Sequence, residues 1–150
     1  MSQSRKDVLL KAIEAEVGGD AIDLSTLFTE DVVGWSPYAS VSGLAALTAL
    51  AALRDVAFSN VVVFFRGLDE VGNKAYAEWL IEADHTGPLI LAEDAELEAS
   101  GRRVKLAGAT VADFRNGKIA SYRTYFDDIS LIEQIVVPYL KARAFLMSAP

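Results

Sequence analysis

The spacing of hydrophobic residues changes from helical to strand-like near residue 58. Before that point apolar side chains recur every three or four positions, which predicts helices interrupted by one brief strand. The first predicted helix covers residues 8–17 and ends at Gly18 and Gly19, and a short second helix contains Leu24, Leu27 and Phe28 and ends at Glu30 and Asp31. A strand at 32–35 follows, and then a helix over residues 44–53 that is capped by Ser40 or Ser42. The first third of the chain is therefore predicted to be mainly helical.

Beyond residue 58 the pattern predicts strands. Residues 58–65 are apolar at nearly every position, which favours a strand covered on both faces. Residues 75–85 alternate, so that Trp79 and Glu78 begin two opposite faces, one apolar and one acidic. The following residues, 89–101, are acidic and are predicted to form an irregular loop.

An Asn-Gly pair at residues 116–117 lies between two further alternating segments, 104–114 and 118–126. This dipeptide favours a type I′ hairpin turn, because both central residues of that turn need a positive φ. A last helix is predicted to begin near Ser130, and Pro138 is predicted to separate it from a terminal stretch with helical potential.

Helices followed by a run of antiparallel strands predict an α+β domain, with the helices packed on one face of the sheet. A strongly curved, mostly antiparallel sheet closed by helices makes a cone with an apolar interior. Such concave interiors favour the binding of small ligands. The length of 150 residues is enough for one domain with a hydrophobic core.

Composition narrows the function classes. The net charge of −7 and the dispersed Lys and Arg residues argue against a nucleic-acid or anionic-membrane surface. The absence of cysteine excludes disulfides, thiolate metal sites and cysteine nucleophiles. The amphipathic N-terminal segment does not have the pattern of a signal peptide, and no apolar run reaches the length of a membrane span, so a cytoplasmic protein is expected. With no glycine-rich phosphate loop, metal-spaced cluster or nucleophile elbow, neither a cofactor nor a metal is expected.

Three segments resemble the nuclear-transport-factor-2-like (ketosteroid isomerase-like) superfamily, and within it the SnoaL-like domains. They are Gly19-Asp20 followed by residues 27–32, residues 82–87, and residues 114–128, which include Tyr125-Phe126-Asp127. The resemblance covers residues 5–136, so residues 1–150 are expected to form a single SnoaL-like domain with an extension at 137–150. It implies a cone-shaped α+β (cystatin-like) fold, a small apolar ligand and a homodimer formed through the sheet.

The sites of better-known enzymes of this superfamily are not preserved. Where ketosteroid isomerases carry a carboxylate base and an oxyanion-binding tyrosine, this chain has Ser36 and Ala12. Where limonene-epoxide hydrolases carry a carboxylate just after an arginine, Arg123 is followed by Thr124. The resemblance to SnoaL-like polyketide cyclases implies a single aspartate near the end of the sheet, and Asp127 is the nearest residue.

His85, the only histidine, is predicted to be a catalytic residue. It shares a strand face with Trp79 and Ile81, and an imidazole in an apolar cone would stay neutral and could act as a general base. The alternative is a structural histidine bonded to the backbone near Thr86 and Gly87.

Asp127 is the second predicted catalytic residue, as an acid or base beside His85. The alternative is an N-cap for the last helix, since carboxylates are favoured there. The strand alternation supports the cap, because Asp127 faces away if Tyr122, Thr124 and Phe126 face the cavity. The opposite register would instead place four polar or aromatic residues inside, namely Ser121, Arg123, Tyr125 and Asp127.

Five residues are predicted to bind the ligand. Aromatic rings can stack on a flat molecule while a hydroxyl or indole N–H fixes its orientation, and the alternative for each is a place in the core. The five are Trp35, Tyr38, Trp79, Tyr122 and Thr124.

These residues predict a cofactor-independent isomerase-, cyclase- or lyase-type enzyme that moves a proton on a small apolar carbonyl or polyketide-like compound. A non-catalytic ligand-binding module and a dimerisation module of the same fold are the alternatives.

Overall fold

The computed structural model describes residues 3–18, 23–92 and 94–148. The predicted helix stop at Gly19 and the Gly19-Asp20 pair of the resemblance lie outside these ranges. The helices are α1 (Arg5–Gly18), α2 (Leu44–Ala57) and α3 (Asp128–Ser148), with a 3-10 turn at Leu24–Thr26. The strands are β1 (Phe28–Trp35), β2 (Ser40–Ser42), β3 (Phe58–Val71), β4 (Lys74–His85), β5 (Leu89–Ala92), β6 (Ala95–Leu97), β7 (Arg103–Arg115) and β8 (Lys118–Phe126).

Six strands form one mixed sheet in the order β2-β1-β8-β7-β4-β3. Only the β1–β8 pair is parallel among these neighbours, which confirms the predicted α+β fold with a mostly antiparallel sheet. Register shifts interrupt the β3–β4, β7–β8 and β1–β8 ladders. Because an extra residue in one strand increases local twist, these irregularities help the sheet to curve around α1 and α2.

The Asn-Gly hairpin turn is confirmed. Asn116 and Gly117 have φ values of 52° and 78°, and they join β7 to β8. Both values are positive, as a type I′ turn requires. This turn sets the register that places Tyr122 opposite Ala112 and Thr124 opposite Thr110.

The hydrophobic core lies between the concave face of the sheet and the helices. Its main cluster joins α1, α2 and the strands, with Leu9, Phe28 and Leu47 almost fully buried. A second cluster packs Leu131 and Ile135 of α3 against the far end of the sheet. A cavity remains between these two clusters, on the concave side of the sheet.

Two predictions about the first third of the chain are wrong. Residues 28–31 belong to β1, because Phe28 pairs with Ile119 of β8, and only Leu24–Thr26 remain helical. Ser40 and Ser42 form β2 against β1 and do not cap α2. Gly43, with a φ of 92°, precedes α2 without a side-chain cap. Strand pairing overrode local propensity in both places.

Three predictions about the later chain also need correction. The predicted loop at 89–101 contains a two-stranded hairpin, β5–β6. Pro138 lies inside α3 and does not separate two helices. A proline removes only its own backbone N–H, and the residues on both sides of Pro138 keep helical backbone. The described residues do not cover the outer face of 58–65, since Val62 and Phe64 are 41% and 49% exposed.

Candidate functional site

A cavity of about 310 Å³ lies between the concave face of the sheet and the helices. This volume is at the small end of the range for ligand sites in proteins. Most of the lining is aliphatic or aromatic, including Leu9, Ile13, Phe28, Leu50, Ile81, Leu106, Phe126 and Leu131. The lining therefore favours a small and largely apolar ligand.

Strand alternation decides which side chains of β8 reach the cavity. Tyr122, Thr124 and Phe126 line it, and each faces the same side because residues two apart share a face. Tyr38 and Trp79 line it as well. Four of the five predicted ligand-binding residues thus surround one cavity, and their role in binding stays a prediction.

A row of hydrogen bonds crosses the sheet wall of the cavity. The indole Nε1 of Trp79 donates to Thr110 Oγ1 at 3.0 Å, and Thr110 Oγ1 lies 3.2 Å from Thr124 Oγ1. Because Thr110 accepts from the indole, its own hydroxyl hydrogen is available for Thr124. The Thr124 hydroxyl can then donate to a ligand oxygen.

Both tyrosines of the lining are held neutral. The Tyr38 hydroxyl donates to the Asp128 carbonyl at 3.1 Å, and burial raises its pKa to about 12, with help from the nearby charges of Asp128 and Asp127. Burial also raises the pKa of Tyr122, and the Glu16 carboxylate raises it further. Near neutral pH these groups can donate or accept hydrogen bonds but do not ionise.

An ion pair between α1 and α2 forms the charged part of the lining. Glu16 Oε2 accepts from Arg54 Nη1 at 2.8 Å, and the two side chains are 13% and 27% exposed. Burial raises the pKa of Glu16, and the Arg54 charge and hydrogen bond only partly oppose this. Sequence analysis missed this pair. The sequence did contain one indication of it, because Glu16 follows Ala12 and Ile13 by one helical turn and therefore lies on the buried face of α1.

His85 lies on the predicted face but outside the cavity lining. It is fully buried at the end of β4, and its ring packs near Phe58 with centroids 5.6 Å apart. Its Nδ1 accepts from the Ser100 backbone N–H at 3.2 Å and lies 2.9 Å from Ser100 Oγ. The Gly87 backbone also acts on the ring, and both contacts agree with the alternative of a structural histidine.

The Nε2 of His85 has no hydrogen-bond partner among the described residues. Burial lowers the pKa of His85, partly opposed by the nearby Gly87 backbone, and favours the neutral ring. A catalytic role for this histidine stays a prediction, without a place in the cavity to support it.

Asp127 and Trp35 also lie outside the lining. Asp127 is exposed, and its Oδ1 accepts from the Ser130 backbone N–H at 3.0 Å at the start of α3, which is an N-cap contact. Trp35 is on the convex face of the sheet, where its ring lies 5.3 Å from that of Tyr125. Neither the acid/base role of Asp127 nor ligand binding by Trp35 gains support from these positions.

The described residues include no group of three or more His, Asp or Glu side chains that could hold a metal ion. Within the same residues, no helix has the length and apolar character needed to cross a membrane.

Comparisons with known proteins agree with this architecture. A family model for the SnoaL-like domain matches residues 9–122. A search of curated protein sequences gave no match. Among solved structures, AclR, a candidate hydroxylase from Streptomyces galilaeus, has a TM-score of 0.73 and 18% identity, covering 88% of this chain and 95% of that one.

Two other solved structures are similar. A candidate SnoaL-like polyketide cyclase from Jannaschia sp. CCS1 has a TM-score of 0.76 and 14% identity, with 90% of this chain and 96% of that chain covered. A protein from Catenulispora acidiphila with a ketosteroid isomerase-like fold, crystallised with trimethylamine, has a TM-score of 0.69 and 19% identity, with 86% and 92% covered. At these identities the structures establish the shared fold alone.

Proposed function

This chain belongs to the SnoaL-like domain family, and we propose that it binds a small, largely apolar carbonyl compound in the cavity and moves a proton on it without a cofactor. The observation that carries the proposal is the cavity itself, about 310 Å³ in volume and lined mainly by apolar side chains. Small-molecule sites commonly combine such walls with a few fixed polar groups.

The polar row on the sheet wall supports a carbonyl ligand. A carbonyl oxygen accepts hydrogen bonds, and the Thr124 hydroxyl can donate one when Thr110, which accepts from Trp79, donates to Thr124. The name of the Jannaschia protein, a candidate polyketide cyclase, agrees with an isomerase- or cyclase-type reaction on a polyketide-like compound.

A non-catalytic ligand-binding protein is the second candidate. It is favoured by the positions of His85 and Asp127, because both residues predicted to be catalytic lie outside the cavity lining. The two candidates share the cavity and differ only in turnover.

Fluorescence of Trp79 tests ligand binding. The chain has two tryptophans, and replacing the convex-face residue by Trp35→Phe leaves Trp79 as the only indole. Titration of this variant with 2-tetralone, a small bicyclic ketone, should give a saturable change in emission.

Two further variants show where the ketone binds. Leu106→Phe fills part of the cavity and should weaken binding, whereas Phe64→Leu on the convex face is the matched control and should leave it unchanged. Equal affinity in all variants, or no saturable signal, would contradict binding in the cavity.

A further inference from the structure

The cavity lining contains few groups that can ionise. Among the described residues that form it, the titratable side chains are Glu16, Arg54, Tyr38 and Tyr122. The tyrosines stay protonated near neutral pH because their pKa values are raised, and an arginine keeps its charge in proteins. Glu16 is therefore the one group of this lining that can take and return a proton under ordinary conditions.

The geometry of the ion pair leaves reactive atoms available. One hydrogen bond joins Glu16 Oε2 to Arg54 Nη1. Within the described chain, the other carboxylate oxygen of Glu16 and the remaining N–H groups of Arg54 have no hydrogen-bond partner. A proton acceptor and strong hydrogen-bond donors thus lie side by side on one wall of an apolar cavity.

We infer that Glu16 is the proton-transferring carboxyl of this cavity and that Arg54 binds the oxygen on which charge develops, for a ligand with a C–H next to a carbonyl. This inference rests on the proposed function and names the residues that would perform it. Neither residue is among those predicted from the sequence.

The proposed step is balanced without an oxidant or a second substrate. The C–H bond breaks and the proton moves to Oε1 of Glu16. The electron pair of that bond forms a C=C bond to the carbonyl carbon, and the π pair of the C=O bond moves to the oxygen. The resulting enolate oxygen accepts hydrogen bonds from the free N–H groups of Arg54. Return of the proton from Glu16 to the same carbon gives simple exchange. Return to a different carbon gives an isomer when the ligand also has a C=C bond conjugated with the enolate, because the dienolate then carries negative charge on a second carbon.

Burial suits Glu16 to this task. A carboxylate with a raised pKa is a stronger base than an exposed one, and the Arg54 charge and hydrogen bond oppose part of the effect of burial. The competing interpretation is a structural ion pair that only joins α1 to α2. That interpretation predicts that removing the charge of Glu16 changes stability but not proton exchange per bound ligand.

Deuterium exchange separates these interpretations. 2-Tetralone is incubated in D2O with the Trp35→Phe protein, and loss of its α-proton signal is followed by NMR across a range of pD, with binding measured in parallel from Trp79 fluorescence. The parent protein should accelerate exchange, with a rate that rises as one carboxyl ionises. Glu16→Gln should lower the exchange rate of the bound ketone at least 100-fold, within the usual range for a general base.

Three variants complete the experiment. Asp55→Asn, on the exposed side of α2 beside Arg54, is the matched control and should exchange at the parent rate. Glu16→Asp keeps a carboxyl and should retain part of the activity. Arg54→Lys should slow exchange more than it weakens binding, because a lysine ammonium lacks the planar guanidinium fork that can bind Glu16 and the ligand oxygen at the same time.

The outcomes are distinct for the two proposals. Absence of any saturable 2-tetralone binding contradicts the proposed function and this inference with it. Binding with no accelerated exchange, or equal exchange in the parent and Glu16→Gln proteins, overturns the inference and leaves ligand binding intact. If Glu16→Gln and Glu16→Asp lose exchange to the same extent, and each loses it only as far as it unfolds, the ion pair of Glu16 and Arg54 is structural alone.

Discussion

Replacing Gly34 by alanine should disturb the cavity through Tyr122. Gly34 lies in β1 opposite Tyr122 of β8, and the tyrosine ring rests on the glycine. An added Cβ would lie 2.2 Å from Tyr122 Cζ and 2.5 Å from its hydroxyl oxygen. Carbon atoms pack best at about 3.5–4.0 Å, so the ring must retreat by about 1.3 Å or more.

The expected cost follows from two opposing effects. Overpacking of a closely packed site costs about 1–3 kcal/mol. An alanine is intrinsically favoured over glycine inside a strand by about 0.5–1 kcal/mol, which offsets part of that cost. Gly34→Ala should therefore lower the free energy of unfolding by about 1–2 kcal/mol. In a domain of this size that change lowers the melting temperature by about 2–8 °C.

A double-mutant cycle with Tyr122→Leu isolates the contact. Urea denaturation gives the free energy of unfolding for the wild type, the two single variants and the double variant. In the Tyr122→Leu background the smaller side chain removes the clash, so Gly34→Ala should be neutral or stabilising. The same cost in both backgrounds would refute the idea that the ring on Gly34 is the cause. Because Tyr122 lines the cavity, Gly34→Ala should also weaken 2-tetralone binding.

Three further predictions concern residues outside the cavity. Asp127→Ala should cost about 1 kcal/mol of stability through loss of the N-cap, whereas Asp127→Asn should cost a few tenths of a kcal/mol. Both variants should keep activity, which thermal melts and exchange assays check. An active-site role would instead make Asp127→Asn inactive but stable. The lowered pKa of His85 means that the unfolded chain binds a proton that the folded chain resists, so its stabilising contribution is present above about pH 6.5 and is lost as the pH falls below that value. Urea midpoints at pH 7.5 and 5.5 should therefore diverge more for the wild type than for His85→Gln, and equal pH dependence would contradict the buried neutral ring. The predicted homodimer through the sheet should dissociate in Phe64→Glu, which places a charge on the exposed convex face; light scattering measures the mass, and a monomeric wild type would end that prediction.

Local sequence signals were sufficient for the second half of the sheet. The positive φ values of Asn116 and Gly117 follow from the residue types, and the alternation of β8 then places Tyr122 and Thr124 on the concave face. These features depend on neighbours in sequence. The same alternation correctly indicated that Asp127 faces away.

Features that depend on distant pairing were not predictable in the same way. Ser40 and Ser42 look like helix caps, and they become a strand only because β1 is available to pair with them. His85 is on the expected face, yet its imidazole is occupied by Ser100, which the fold returns to the end of β4. Glu16 is on the inward stripe of α1, but its partner Arg54 is identified only once α1 and α2 are packed together.

Tyr122 connects the contact at Gly34 with the proposed proton transfer. The Glu16 carboxylate raises the pKa of Tyr122, which means that the negative charge and the hydroxyl influence each other across the cavity wall. Tyr122 stays neutral near neutral pH, so it acts on Glu16 only through its hydroxyl dipole and by keeping water from the carboxyl, whose raised pKa is caused mainly by burial. A ring displaced by Gly34→Ala would change how well the cavity wall shields the Glu16 carboxyl from water, without altering either ionisable group. If Glu16 transfers the proton, the pD profile of exchange should therefore shift in Gly34→Ala, whereas a structural ion pair would leave the profile unchanged and alter stability alone.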